Sequence, residues 1–520
     1  MFGFLKKNRS LHPLADDKGA KAFFSELPVR DPYRTLKELA FWLEATRDSE
    51  GLKPQRVFEI VEALDNAASP HLRKLELEYG GGARLQQFQE VRIFDTVTEF
   101  WRQLGAAYEY CLALAPPGFG KGGGLKHQLP VIIGRALRAL GTEIRWTLVR
   151  YRPVEPAVWG RLGSIYAGGE KRCDVKKPIS LYSASESADT VQGEYLKPLT
   201  LAMSAPDSLL SPELEVANRV IALLSDQFVM HSQPTEGCNF VVDMLHESAP
   251  MRLVEPSQPK PGLRYFGGGS AVDELEKLIN RISGNGLVPS SISLRGQFEP
   301  SLVVAVLRHL ALYWSATPPS RKHERRRSVE RIHVVHGFNT IIDTIAERGD
   351  DLDFRSNIET WTVDNESDGG YGALIPSLVS DWLRIGSLLG IKQADDNGWG
   401  VGIVRRLSTT DDAQRYVGIE FMAKGVSHVK LFNPGQDTTS AGLASAANDA
   451  VLLPSDAEDS AGSGDITLLM RPGNFSPRIS VQMRAYDYTY LLLPRLLIED
   501  GEDFDIACYR VMPRESQANA

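Results

Sequence analysis

Between about residues 30 and 250, apolar side chains recur at the three- or four-residue spacing of amphipathic helices. Leu36, Leu39, Phe41, Trp42 and Leu43 open one stripe, and Val57, Ile60, Val61 and Leu64 form the next. Phe94, Val97, Phe100, Trp101 and Leu104 make a third, which runs into residues 108–114. The same spacing predicts helices over 129–149, 155–167, 193–204 and 212–230. Stripes of this kind are core far more often than groove. Residues 30–254 therefore read as one large all-α region behind an N-terminal segment, 1–29. A proline-rich break, Pro256-Ser257-Gln258-Pro259-Lys260-Pro261, marks a boundary. Beyond it, 263–316 reads as a helical subdomain with helices at 272–282, where Ser270 is a candidate cap, and at 300–314.

After Thr317-Pro318-Pro319 the spacing changes to alternation. Residues 332–338, 358–363, 400–405 and 416–421 predict strands, broken by a short helix over 341–348 and an apolar insertion at 376–389. These strands make up one β region, 332–432, entered through a basic hinge linker, 317–331. A small-residue stretch, 438–465, leads to a C-terminal β segment, 466–513, with strands at 466–470, 479–485, 488–493 and 504–511. Residues 514–520 are a tail. The fold class is α+β multidomain: a large all-α N-terminal region, an antiparallel β region and a further C-terminal β segment.

Composition narrows the function. A chain of 520 residues, 42% hydrophobic and 24% charged, can bury several cores. Cys111, Cys173, Cys238 and Cys508 are scattered, as expected for reduced thiols in a cytoplasmic protein. The histidines make no zinc-binding spacing, so no metal is expected. The opening Met1-Phe2-Gly3-Phe4-Leu5-Lys6-Lys7 lacks a long apolar core, and no stretch reaches membrane-spanning length, so an integral membrane protein is not expected. The run Gly118-Phe119-Gly120-Lys121-Gly122-Gly123-Gly124 lacks the spacing and Ser/Thr of a phosphate-binding loop. Asp350-Asp351 and Asp395-Asp396 read as solvated turns, and no nucleophile elbow occurs. Nothing here points to an enzyme.

Two motifs carry chemistry. Arg325-Arg326-Arg327-Ser328-Val329-Glu330-Arg331 contains R-R-x-x-x-R ahead of one strand, and Asn365-Glu366-Ser367-Asp368-Gly369-Gly370 contains N-x-S-x-x-G after another. Of the Asn-x-Ser triplets at Asn8, Asn365 and Asn474, only Asn365 has glycine at the required place. Guanidiniums facing a small polar turn suit a flat, doubly anionic ligand. Residues 320–331 hold six Lys/Arg against Glu324 and Glu330 in a chain of net charge −8. That contrast argues for a discrete anion site and against general nucleic-acid binding.

These motifs resemble the signature of the PilZ domain, a bacterial receptor module for cyclic di-GMP, over about Arg325 to Lys424, which implies that residues 332–432 form a PilZ-like antiparallel β-barrel. A third element extends the resemblance: Gly400-Val401-Gly402-Ile403-Val404-Arg405 followed by Tyr416-Val417-Gly418-Ile419-Glu420-Phe421. The resemblance implies that Arg327 and Arg331, with Arg326 assisting, bind the phosphates or guanines. It further implies that Asn365 and Ser367 reach a guanine edge, and that Gly370 lets backbone approach the ligand. The implied function is a cyclic di-GMP receptor whose linker folds over the ligand, changes the domain arrangement and regulates a protein partner through the helical region. Motility, pilus, polysaccharide and secretion machinery all fit that output. The alternative is a ligand-independent scaffold that uses the same helices for protein–protein interaction.

Overall fold

The structure, a computed structural model, describes residues 12–49, 51–80, 85–115, 125, 127–182, 189–254, 258–293, 298–319, 323–346, 358–375, 382–393, 398–409, 414–433, 448–454, 464–485 and 488–513. The N-terminal peptide 1–7, the glycine-rich run 118–124, the pairs 350–351 and 395–396, and the tail 514–520 lie outside these residues. The chain divides into two compact units, 1–319 and 320–520.

The first unit is built on α1 (Asp17–Glu26), α2 (Pro32–Asp48), α3 (Pro54–Gly80), α4 (Gln87–Ala113), α5 (Leu129–Val149), α6 (Pro156–Glu170), α7 (Val191–Met203) and α8 (Ser211–Leu223). Asp31 caps α2 by accepting from the Tyr33 and Arg34 amides, and Pro32 supplies a preset φ at the first position. The central element is α5. Leu129, Ile133, Leu137, Leu140 and Ile144 enter one core, and Ile132, Ala136, Ala139 and Trp146 enter a second. A helix apolar on two faces belongs in an interior, so its polar positions need partners. Arg135 meets Glu62 and Asp65, Arg138 meets Asp189 and Glu194, and Arg145 meets Glu76 and Glu215.

Glu194 gives this network a testable pH dependence. Burial pushes its carboxyl up, but Arg138 and Lys197 outweigh that and bring it down to about 2. Because the folded value lies below the ordinary 4.5, its stabilisation is complete above that pH and fades as pH falls through about 2. Glu194→Gln is expected to cost about 3 kcal/mol or more at neutral pH. In thermal melts, the gap from the wild type should narrow as pH falls through the acid range.

Following α8 come four short strands, β1 (Val229–His231), β2 (Phe240–Asp243), β3 (Met251–Arg252) and β4 (Leu263–Gly267), in the order β1-β4-β2-β3. This sheet corrects the all-helical expectation for the region: α8 ends at Leu223, and the predicted helix 212–230 runs into β1. The unit closes with α9 (Ala271–Asn285), α10 (Ser290–Ser293) and α11 (Pro300–Trp314). Ser270 precedes α9 but its side chain makes no cap bond, because its backbone is already helical at φ −73°, ψ −7°.

In the second unit, β5 (Arg326–Arg327), β6 (Arg331–His336), β7 (Glu359–Ser367), β8 (Gly370–Ile375), β9 (Leu388–Gln393), β10 (Gly400–Thr409) and β11 (Arg415–Ala423) form an antiparallel sheet ordered β5-β7-β6-β9-β10-β11-β8. A further β7–β8 pairing closes it on itself. The helix α12 (Phe338–Ile345) is the short helix expected over 341–348, begun three residues earlier. A second, closed barrel follows, from β12 (Ser427–Phe432), β13 (Asn448–Leu453), β14 (Asp465–Met470), β15 (Val481–Ala485), β16 (Tyr488–Asp500) and β17 (Asp505–Pro513). It begins earlier than the expected segment 466–513. β12 falls inside the expected first barrel, 332–432, and β13 inside the small-residue stretch. Phe338, Ile341 and Ile342 of α12 pack with Leu388, Val401 and Ile403 of the first barrel and Leu453, Leu469 and Phe504 of the second, in one core.

Candidate functional site

The site is assembled on β7. One edge carries β8, and the other carries β5 and then β6. Within the stretch 317–331, expected as a hinge linker, Arg326–Arg327 is thus paired along the Asn365 strand. Backbone bonds hold it there: the Ser328 amide donates to the Asp364 carbonyl at 3.1 Å, and the Val363 amide to the Glu330 carbonyl at 2.8 Å.

Register decides which side chains share a face, since directly opposed residues in an antiparallel pair point the same way. Arg327 opposes Asn365, Asn365 opposes Gly372, Gly372 opposes Gly418, and Gly418 opposes Arg406. Beside that row lies another, Arg331, Thr362, Leu374, Tyr416 and Ser408. Both rows lie on the outer face, because the intervening Ala373 and Val417 are completely buried. Arg327, Arg331 and Asn365 therefore share one surface. Ser367, two residues beyond Asn365 and opposite Gly370, joins them. Arg326 does not. It opposes Glu366, which opposes buried Tyr371, so it lies on the other face of the pairing.

Arg326, Arg327 and Arg331 are exposed, and among the described residues their side chains make no hydrogen bond or ion pair. Arg405 shows the contrast. Its guanidinium is bidentate to Glu499 at 2.6 Å and also reaches Glu420 at 2.7 Å, which makes it structural.

The Asn365 amide is tightly placed. Its Nδ2 donates to Asp364 Oδ2 at 2.9 Å and to Tyr416 Oη at 2.6 Å. Its Oδ1 is buried without a hydrogen-bond partner, a state that costs about 1–3 kcal/mol. Room for this arrangement comes from Gly372, where a Cβ would stand 1.9 Å from Tyr416 Oη and 2.8 Å from either end of the amide. Ser367 Oγ donates to the Gly370 carbonyl at 3.3 Å, and the Phe421 amide to the Gly369 carbonyl at 3.0 Å, which ties the hairpin tip to β11.

Gly370 answers to a constraint within the fold itself. At φ 153°, a Cβ there would lie 1.9 Å from the Ile419 carbonyl oxygen, so the neighbouring strand itself requires glycine.

Tyr416, which no motif singled out, stands against Asn365 on the same outer face. The signal was present in the alternation of Tyr416 and Gly418 against Val417 and Ile419, which sends the tyrosine outward. His323, whose Nδ1 lies 4.0 Å from Asp368 Oδ2 at the hairpin tip, carried no sequence signal.

Among the described residues no three His, Cys, Asp or Glu side chains converge as a metal site, and no helix is long and apolar enough to cross a membrane. The helical unit holds a cleft of about 840 Å³, lined in part by Lys37, Phe88, Arg92, Glu99, Arg102 and Arg152. It contains neither motif.

Two family models match the chain. The N-terminal domain of the cyclic-di-GMP receptor FimW matches residues 18–235, and the middle PilZ domain of that receptor matches residues 342–427. No curated protein matches. The two matches together take in more than half of the chain. The second includes Asn365, Ser367, Gly370 and Tyr416 and begins beyond Arg331. By these matches the chain belongs to the cyclic-di-GMP receptor FimW family.

Proposed function

We propose that the outer face of the first barrel is where this receptor takes cyclic di-GMP, and that binding is passed to a protein partner through the helical unit. The observation that carries the reading is register: Arg327 and Arg331 stand in adjacent rows beside Asn365, with their guanidiniums unpaired among the described residues. Each fork can donate in parallel to phosphate oxygens or to guanine O6 and N7, or stack on a base. Asn365 Oδ1, buried and lacking a donor, suits the N–H edge of guanine. The Ser367 hydroxyl donates to Gly370 and retains lone pairs for the same edge.

Because the arginine segment already lies on β7, the ligand does not have to fold it from a coil. Binding instead fixes the arginine side chains on the strand that carries them. Any shift in domain arrangement is limited to the ligand's differential affinity for the two states.

Calorimetric titration of the full chain tests this reading. Cyclic di-GMP is expected to bind with micromolar or tighter affinity, and Ser367→Ala to weaken it about tenfold. A wild type that gives no heat and no competition in equilibrium dialysis would leave the ligand-independent scaffold as the better account. Capture of a partner by the full chain should then differ with and without the nucleotide if the helical unit carries the output.

A further inference from the structure

The two ends of the Asn365 amide are told apart by their neighbours. A carboxylate only accepts hydrogen bonds, so Asp364 Oδ2, 2.9 Å away, requires the amide nitrogen on its side. Tyr416 Oη, 2.6 Å from the same nitrogen, accepts the second amide proton. The carbonyl oxygen is thereby committed to the opposite direction, where it is buried and unpartnered. Without these two acceptors the amide could rotate about its last bond and satisfy its oxygen elsewhere. The bare Gly372 between Asn365 and Tyr416 permits the contact, since any side chain there would separate them.

We propose that Tyr416, together with Asp364, is a positioning residue of the dinucleotide site: the pair locks Asn365 so that Oδ1 is presented as an acceptor to a guanine N–H. This inference rests on the proposed site and adds a residue from a third strand to it. Tyr416 comes from β11, so the guanine-reading group is set by β7 and β11 together, across β8.

A double-mutant cycle on the full chain, titrated with cyclic di-GMP, tests the assignment. Tyr416→Phe keeps the ring and removes the acceptor, and Asn365→Ala removes the group it acts through. Each is expected to weaken binding about tenfold. The double variant should bind no more weakly than Asn365→Ala, because Tyr416 then has nothing left to orient. Asp364→Ala, at an exposed position where folding is not at stake, should repeat the pattern.

Two results would overturn the assignment. One is Tyr416→Phe binding as tightly as the wild type. The other is losses that multiply to about a hundredfold in the double variant, which would mean that Tyr416 acts independently of Asn365. A wild type that fails to bind would instead overturn the site itself, and this inference with it.

Discussion

Replacing Arg327 and Arg331 together by alanine is expected to weaken cyclic di-GMP binding by about 100- to 10,000-fold. A charge-assisted hydrogen bond contributes about 1.5–3 kcal/mol, and independent loss of two gives about 3–6 kcal/mol. Neither guanidinium has a protein partner among the described residues, so no buried carboxylate is stranded by the change. Folding should be nearly unaffected, and the loss should appear in affinity alone. Arg326→Ala is the matched control. It removes the same charge from the neighbouring position, but Arg326 opposes Glu366 on the other face. Acting only through water, it should cost no more than about fivefold, the ~1 kcal/mol of a solvent-screened unit charge. Calorimetry on the wild type, the double variant, Arg327→Ala and Arg326→Ala checks both sides. Equal losses from Arg326→Ala and Arg327→Ala would mean that the register does not set ligand contact.

Gly370→Ala is expected to act on folding first. The backbone at φ 153° is adopted almost solely by glycine and costs another residue about 1–3 kcal/mol. The added methyl would also lie 1.9 Å from the Ile419 carbonyl oxygen, a backbone atom that can yield only by opening the β8–β11 pairing. A total of at least about 3 kcal/mol corresponds to a melting-point drop of roughly 6–12 °C for a unit of this size. Gly372→Ala makes the instructive contrast, because its methyl meets the ends of two side chains, Tyr416 and Asn365. That variant should melt close to the wild type yet bind nucleotide poorly. Differential scanning calorimetry with parallel titration separates the two glycines. Equal melting points for Gly370→Ala and the wild type would contradict the role assigned to β11.

What was legible in the chain and what was not follows from range. Long stripes at helical spacing marked α5 and α11 at 129–149 and 300–314, because each helix is several turns long and buries an apolar stripe along its length. The sheet β1–β4 was not legible: its strands are two to five residues long, too short to establish a period. Alternation marked most strands of the second unit but not their partners. β12 follows β11 closely in sequence yet pairs with β13 and β15, a choice made by long-range packing. The motifs singled out Arg326, Arg327, Arg331, Asn365, Ser367 and Gly370, but no motif states register, which puts Arg327, Arg331, Asn365 and Ser367 on one surface and Arg326 on the other face. Nor does a motif show that the strand beside Gly370 itself demands glycine. The role of Tyr416 depends on a contact with a residue 51 positions away.

Amide hydrogen exchange of the full chain, with and without saturating cyclic di-GMP, tests most directly that the nucleotide sits on the outer face of the first barrel. Slower exchange is predicted in residues 326–331, 364–370 and 416–421, the segments that line the two rows. Protection confined to the α2–α4 region that holds the Arg92 and Arg102 cleft, with those three segments unchanged, would contradict it.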